Sequence, residues 1–185
     1  MSEKTVPVEE AKRQVELASR RLGLLHLAFA EVLVRELGSS KGQKLIAQAI
    51  KEYSLKIGKA KRDSARAQGM ELTRESFLAL SDLPSFGMHE GIEEVEVDGE
   101  KRIRAHGCAM GKVWHEHGGD DLGRYYCFVD PASSMAFNSG FKLVHTKAIP
   151  DGDPYCELVI RPTTEDDRQE FLVKDTDWKS IEEDG

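Results

Sequence analysis

The sequence predicts an α+β protein: an N-terminal helical hairpin followed by a small antiparallel sheet packed with helices. Three observations carry this. Apolar residues recur at helical spacing through the first 70 positions. The pattern then changes to alternation on either side of Asp98-Gly99, the commonest short-hairpin signal. Finally, "FKLVHTKAI" and "YCELVIR" read as two more strands around the turn residues "PDGD".

The first helix starts after Thr5, with Pro7 tolerated in the first turn and two acids favoured there. Ala18, Leu22, Leu25, Phe29, Val32 and Leu33 form its expected core stripe, and Gly38 its C-cap. Ser40 is placed to cap a second helix, with Leu45, Ala49, Tyr53, Ile57 and Ala60 as its stripe, ending near Gly69. A short third helix over 74–80 stops at the Pro84 segment. Residues 109–118 and 123–137 read as helices broken at Gly118-Gly119. After Pro162 the chain is acidic and polar, which predicts a loosely packed tail anchored by Phe171 or Trp178. A chain of 185 residues suits one compact domain, divided into a hairpin (1–70), an α+β ligand or active-site region (71–162) and the tail (163–185).

Charge and composition exclude several classes. Residues 1–70 carry 14 Lys/Arg and 8 Asp/Glu, so +6; the remainder carry 12 and 25, so −13. The N-terminal lysines alternate with apolar residues and have no aromatic stacking partners among them, which is a solvated helix face and no nucleic-acid stripe. The greasy run at 22–34 is too short for a bilayer and contains Glu31, so no membrane association is expected. The N-terminus has no apolar signal core. Three cysteines without a disulfide framework indicate reduced thiols and a cytoplasmic protein. Walker A, GxGxxG, GxSxG and CxxCH motifs are missing, so no nucleotide, haem or flavin is expected.

The chemistry-bearing stretch is "GCAMGKVWHEHGGDDLGRYYCFVD" (107–130). His115 and His117 would point to nearly opposite sides of a helix and could not easily share a metal. Cys108 and His115 are two helical turns apart and would share a face if the helix begins that early. Cys127, Asp130 and Ser134 form one stripe at i, i+3 and i+7, suited to a hydrolytic site or a metal. Spacing leaves a second reading open, in which Cys127 is a small core residue and Asp130 a cap. Cys156 alternates in phase with Leu158 and Ile160 and faces the core, which would leave Glu157 solvated on the other face.

Taken together, "KGQKLIAQAIKEYSLKIG", "GCAMGKVWHEHGGDDLGRYYCFVDPASSMAFN" and "FKLVHTKAIPDGDPYCELVI" resemble the L-2-amino-thiazoline-4-carboxylic acid hydrolase-like family over roughly residues 40–161. The ordered set Cys108, Cys127, Asp130, Phe137-Asn138, Thr146, Gly152-Asp153 and Cys156 carries the resemblance. Glu157 departs from the family's aspartate after the last cysteine. The family in turn is similar to small-molecule-binding domains of the 4-vinyl-reductase type, which need not be enzymes.

The resemblance implies hydrolysis of a C–N bond in a small cyclic amidine. Two mechanisms fit it. In one, Cys108, Cys127 and Cys156 hold zinc or another divalent metal that activates water. In the other, a cysteine attacks directly with His115 or His106 as base, while Asp130 orients the base or protonates the leaving nitrogen. Cys127, Asp130 and His115 are thus the candidate catalytic residues, and His106, Trp114, Asn138 and His145 the candidate substrate-binding ones. The rival is a non-catalytic module that senses or carries a small ligand. The partner expected in either case is a small molecule, in a chain that is able to form a homo-oligomer.

Overall fold

A computed structural model describes residues 5–81 and 83–173. Two long helices, α1 (Val8–Leu37) and α2 (Ser39–Ala67), reverse at Gly38, whose φ of 78° favours glycine. A short α3 (Arg74–Ala79) follows, capped by Thr73 and Ser76 in a reciprocal capping box. Strands β1 (Gly91–Val97) and β2 (Glu100–His106) then pair through Asp98-Gly99, both at positive φ as a tight two-residue hairpin turn requires. Next come α4 (Ala109–Glu116), α5 (Asp120–Gly123), a 3-10 turn (Arg124–Phe128) and α6 (Val129–Phe137). Strands β3 (Phe141–Lys147) and β4 (Cys156–Pro162) close the sheet, before α7 (Glu165–Leu172). The sheet is antiparallel throughout, in the order β1-β2-β4-β3.

The helices cover one face of this sheet. Phe141, Leu143, Leu158 and Ile160 pack there with Phe77 and Phe137. A larger cluster joins α1, α2, α4 and α6 through Leu27, Ile46, Ile50, Trp114, Tyr126 and Met135. Small residues set how closely α2 and α6 approach. A Cβ at Gly58 would overlap the Ser133 carbonyl oxygen and stand 2.6 Å from the Ala136 Cβ. The Ser134 hydroxyl then ties α6 to the sheet, accepting from the Leu143 amide and donating back to the Asp130 carbonyl, both at 2.9 Å.

Several details differ from the sequence expectation. Leu25, Phe29 and Val32 are exposed, and α1 buries Gly23, Leu27 and Ala30 instead. The nearly continuous apolar run at 22–34 offers two stripes to a periodicity argument, and only the packing partner selects between them. In α2 the buried face is Ile46, Ala47, Ile50, Ser54 and Gly58, while Ala49 and Ala60 are exposed. Ser40 lies inside α2, and Gly38 holds the cap position. The polar tail contains α7, started by a Thr164–Asp167 capping box, with Phe171 packed against the larger cluster. Trp178 lies outside the described residues.

Glu157 is the largest correction. It is 1% exposed. Arg102 Nη1 and Arg104 Nε each donate to it at 2.8 Å, and the Thr146 hydroxyl donates at 2.7 Å. The register that pairs Arg104 with Glu157 brings guanidinium and carboxylate together on the face away from the helices. Three donors thus enclose the carboxylate that single-strand alternation left in water.

Candidate active site

Between the helix layer and the sheet lies a cavity of about 310 Å³. That is the lower end of the range for ligand pockets, about 300–1,000 Å³, and suits a compact ligand. Tyr53 and Ile57 of α2 border it, so part of the apolar stripe foreseen as core faces this space. The sheet contributes Ala105, His145 and Cys156, α4 contributes Met110 and Trp114, and the segment before β1 contributes Met88 and His89.

All three cysteines border the cavity. Cys108 sits at the N-cap of α4, its sulfur accepting from the Gly111 amide at 3.5 Å. Burial raises the pKa of its thiol. Cys156 opens β4 and accepts from the Ile149 amide at 3.5 Å; burial pushes its thiol up to about 11. Both are held as protonated thiols at neutral pH. Cys127, in the 3-10 turn, is only half-buried.

Asp130, in the first turn of α6, also borders the cavity, and its Oδ2 lies 3.5 Å from the Nε2 of His145, whose side chain is almost fully buried. The 3-10 turn running directly into α6 carries Cys127 and Asp130 toward the same space. Ser134, third in that stripe, turns instead toward β3.

The other sequence candidates stand elsewhere. His115 is exposed and pairs with Asp120 at 3.0 Å. His106 lies on the outer face of the sheet, 3.1 Å from Glu93 and stacked near Tyr155. Neither lines the cavity. Asn138 closes the α6–β3 junction, its amide donating to the Leu72 carbonyl at 2.7 Å and its oxygen accepting from Gly140. Trp114 does line the cavity, 1% exposed, with its indole N–H donating to the Gly23 carbonyl at 2.9 Å.

Among the described residues, no group of three or more His, Cys, Asp and Glu side chains is placed to hold a metal ion. The divalent ion that the resemblance implied therefore has no ready-made ligand set among the described residues.

Sequence reasoning passed over His89 and Lys61 and gave Tyr53 only a core role; all three border the cavity. Lys61 Nζ lies 4.6 Å over the Phe77 ring. Of these only His89 carried a signal, as a histidine in a glycine-punctuated segment, "FGMHEG", ahead of the first strand.

Residues 19–160 match the family model for L-2-amino-thiazoline-4-carboxylic acid hydrolase. The chain belongs to that family. No curated protein matches it. Membership of the L-2-amino-thiazoline-4-carboxylic acid hydrolase family supports a hydrolase-like function, and the matched span contains every described residue that lines the cavity. Among the described residues, no helix is long and apolar enough to cross a membrane.

Proposed function

We propose that the chain hydrolyses a C–N bond in a small cyclic amidine bearing a carboxylate, with Cys127 as nucleophile and the Asp130–His145 pair as its proton-transfer couple. One observation carries this reading: a half-buried thiol and a carboxylate–imidazole pair border the same small, mainly apolar cavity. Cys108 and Cys156, kept protonated by burial, serve as its walls. A cyclic amidine is cationic when protonated, which suits Asp130; a ligand carboxylate suits the Lys61 ammonium at the cavity rim.

The chemistry balances without a further reactant except water. The Cys127 thiol gives up its proton to the Asp130–His145 pair, and its sulfur bonds to the amidine carbon. The ring C–N bond breaks as the departing nitrogen takes that proton. Water then adds to the same carbon, the Cys127 sulfur leaves with a proton, and the ring-opened carbamoyl product is released. The apolar walls raise the strength of each polar contact within the cavity.

The test is turnover of 2-amino-thiazoline-4-carboxylate by the wild-type chain, Cys127→Ala and Asp130→Asn. Wild type opens the ring, Cys127→Ala does not, and Asp130→Asn loses at least about 100-fold in kcat. Full activity in Cys127→Ala overturns the nucleophile assignment. Tight binding without turnover by wild type makes the chain a binding module.

A further inference from the structure

His89 sits in the segment between α3 and β1, and backbone bonds fix it on both sides. The Ala109 amide donates to the Met88 carbonyl and the Glu90 amide to the His106 carbonyl, each at 2.9 Å; the His89 amide donates to Ser85 at 3.0 Å. This ties the segment to the start of α4 and the end of β2. His89 borders the cavity of Cys127 and Asp130 on one side. On the other it borders a polar groove against α1, lined by Lys12, Glu16 and Lys112 among others. A single layer of chain therefore separates groove from cavity at this point.

The Nδ1 atom of His89 is buried and has no hydrogen-bond partner among the described residues. An unpaired buried polar atom is costly, so this one calls for a partner. Burial also lowers the pKa of His89, so the ring is neutral, with one N–H and one lone pair. With the proton on Nε2, Nδ1 is an acceptor awaiting a donor. An amidine presents several N–H donors and no strong acceptor once protonated, so it is the complementary group.

We propose that His89 is a specificity-determining residue of the cavity, its Nδ1 accepting a hydrogen bond from an amidine N–H of the bound ligand. The proposal rests on the amidine reading of the site. Asp130 meets the charge of the amidine and His89 counts its N–H groups, so a ring lacking the exocyclic amino group leaves Nδ1 unpaired and is rejected.

Calorimetric titration tests this with two probes, 2-amino-thiazoline-4-carboxylate and thiazoline-4-carboxylate, on chains with wild-type His89, His89→Phe and His89→Asn, all carrying Cys127→Ala so that neither probe is turned over. The chain with wild-type His89 prefers the amino compound. His89→Phe weakens that compound by about 10-fold and leaves the other within about twofold, the effect of one neutral hydrogen bond. His89→Asn places an amide oxygen near the Nδ1 position and keeps most of the preference. Equal affinity of the wild-type His89 and His89→Phe chains for the amino compound overturns the role of His89 while leaving the function standing. Equal losses for both compounds in His89→Phe reduce the residue to packing and also overturn it. A chain with wild-type His89 that binds neither probe removes the amidine reading, and the role of His89 with it.

Discussion

Replacing Glu157 with glutamine takes a charge from the middle of the outer sheet face, and the cost follows from its surroundings. Burial by itself raises the pKa of this carboxyl; the donors Arg102, Arg104 and Thr146 outweigh that and hold it at about 2, against the ordinary 4.5. A folded pKa below the unfolded one means that the unfolded chain binds the proton more tightly. The stabilisation is therefore complete above pH 4.5 and is lost as pH falls toward 2. At about 1.4 kcal/mol per pKa unit, the contribution is about 3 kcal/mol at neutral pH and about 1.4 kcal/mol at pH 3.

Breaking one side of a buried ion pair costs about 3–5 kcal/mol by a separate route. Arg102 retains Glu100 at 2.8 Å in the variant, which favours the lower end. Urea denaturation of wild type and Glu157→Gln at pH 7 and pH 3 measures both values. The expected gap is about 3 kcal/mol at pH 7, shrinking by about half at pH 3. A gap under about 1 kcal/mol at pH 7 refutes the argument, as does a gap that does not narrow with acid.

Other perturbations probe the packing and the thiols. Gly58→Val forces α2 and α6 apart and lowers stability by at least about 2 kcal/mol in thermal denaturation; because α6 carries Asp130, affinity for the thiazoline probe falls with it. Leu27→Ala costs about 2–5 kcal/mol whereas Phe29→Ser costs under about 0.5, and a reversed order returns the core to the Phe29 face. At pH 8, Cys156 in the folded chain alkylates at least about 100-fold more slowly than in urea, because a thiol titrating near 11 is almost wholly protonated there. Mass mapping that finds equal rates removes the case for Cys156 as a passive wall.

The site was legible in the sequence unevenly, and the pattern has a cause. Cys127 and Asp130 are three residues apart, so a local helical repeat suffices to place them together. His145 reaches Asp130 from β3, and His89 reaches the cavity from a loop between α3 and β1; both placements depend on how α6 and the segment around residue 89 dock on the sheet. His115 attracted attention by its proximity to Cys108 in the chain, yet α4 turns that side chain to solvent beside Asp120. His106 alternates onto the outer face because Ala105, its neighbour, pairs with Cys156 on the inner one.

By itself the sequence determined the order of the elements as far as β4, the Asp98-Gly99 hairpin and the inward phase of Cys156, because each depends on residues a few positions apart. Only the tertiary structure decided which stripe of α1 is buried, whether Glu157 meets water or two arginines, and that three thiols separated by 48 residues of chain border one cavity without forming a metal cluster. Those outcomes depend on what another segment presents across the gap, and a one-dimensional pattern holds the spacing of side chains along a segment but not the identity of the surface that it meets.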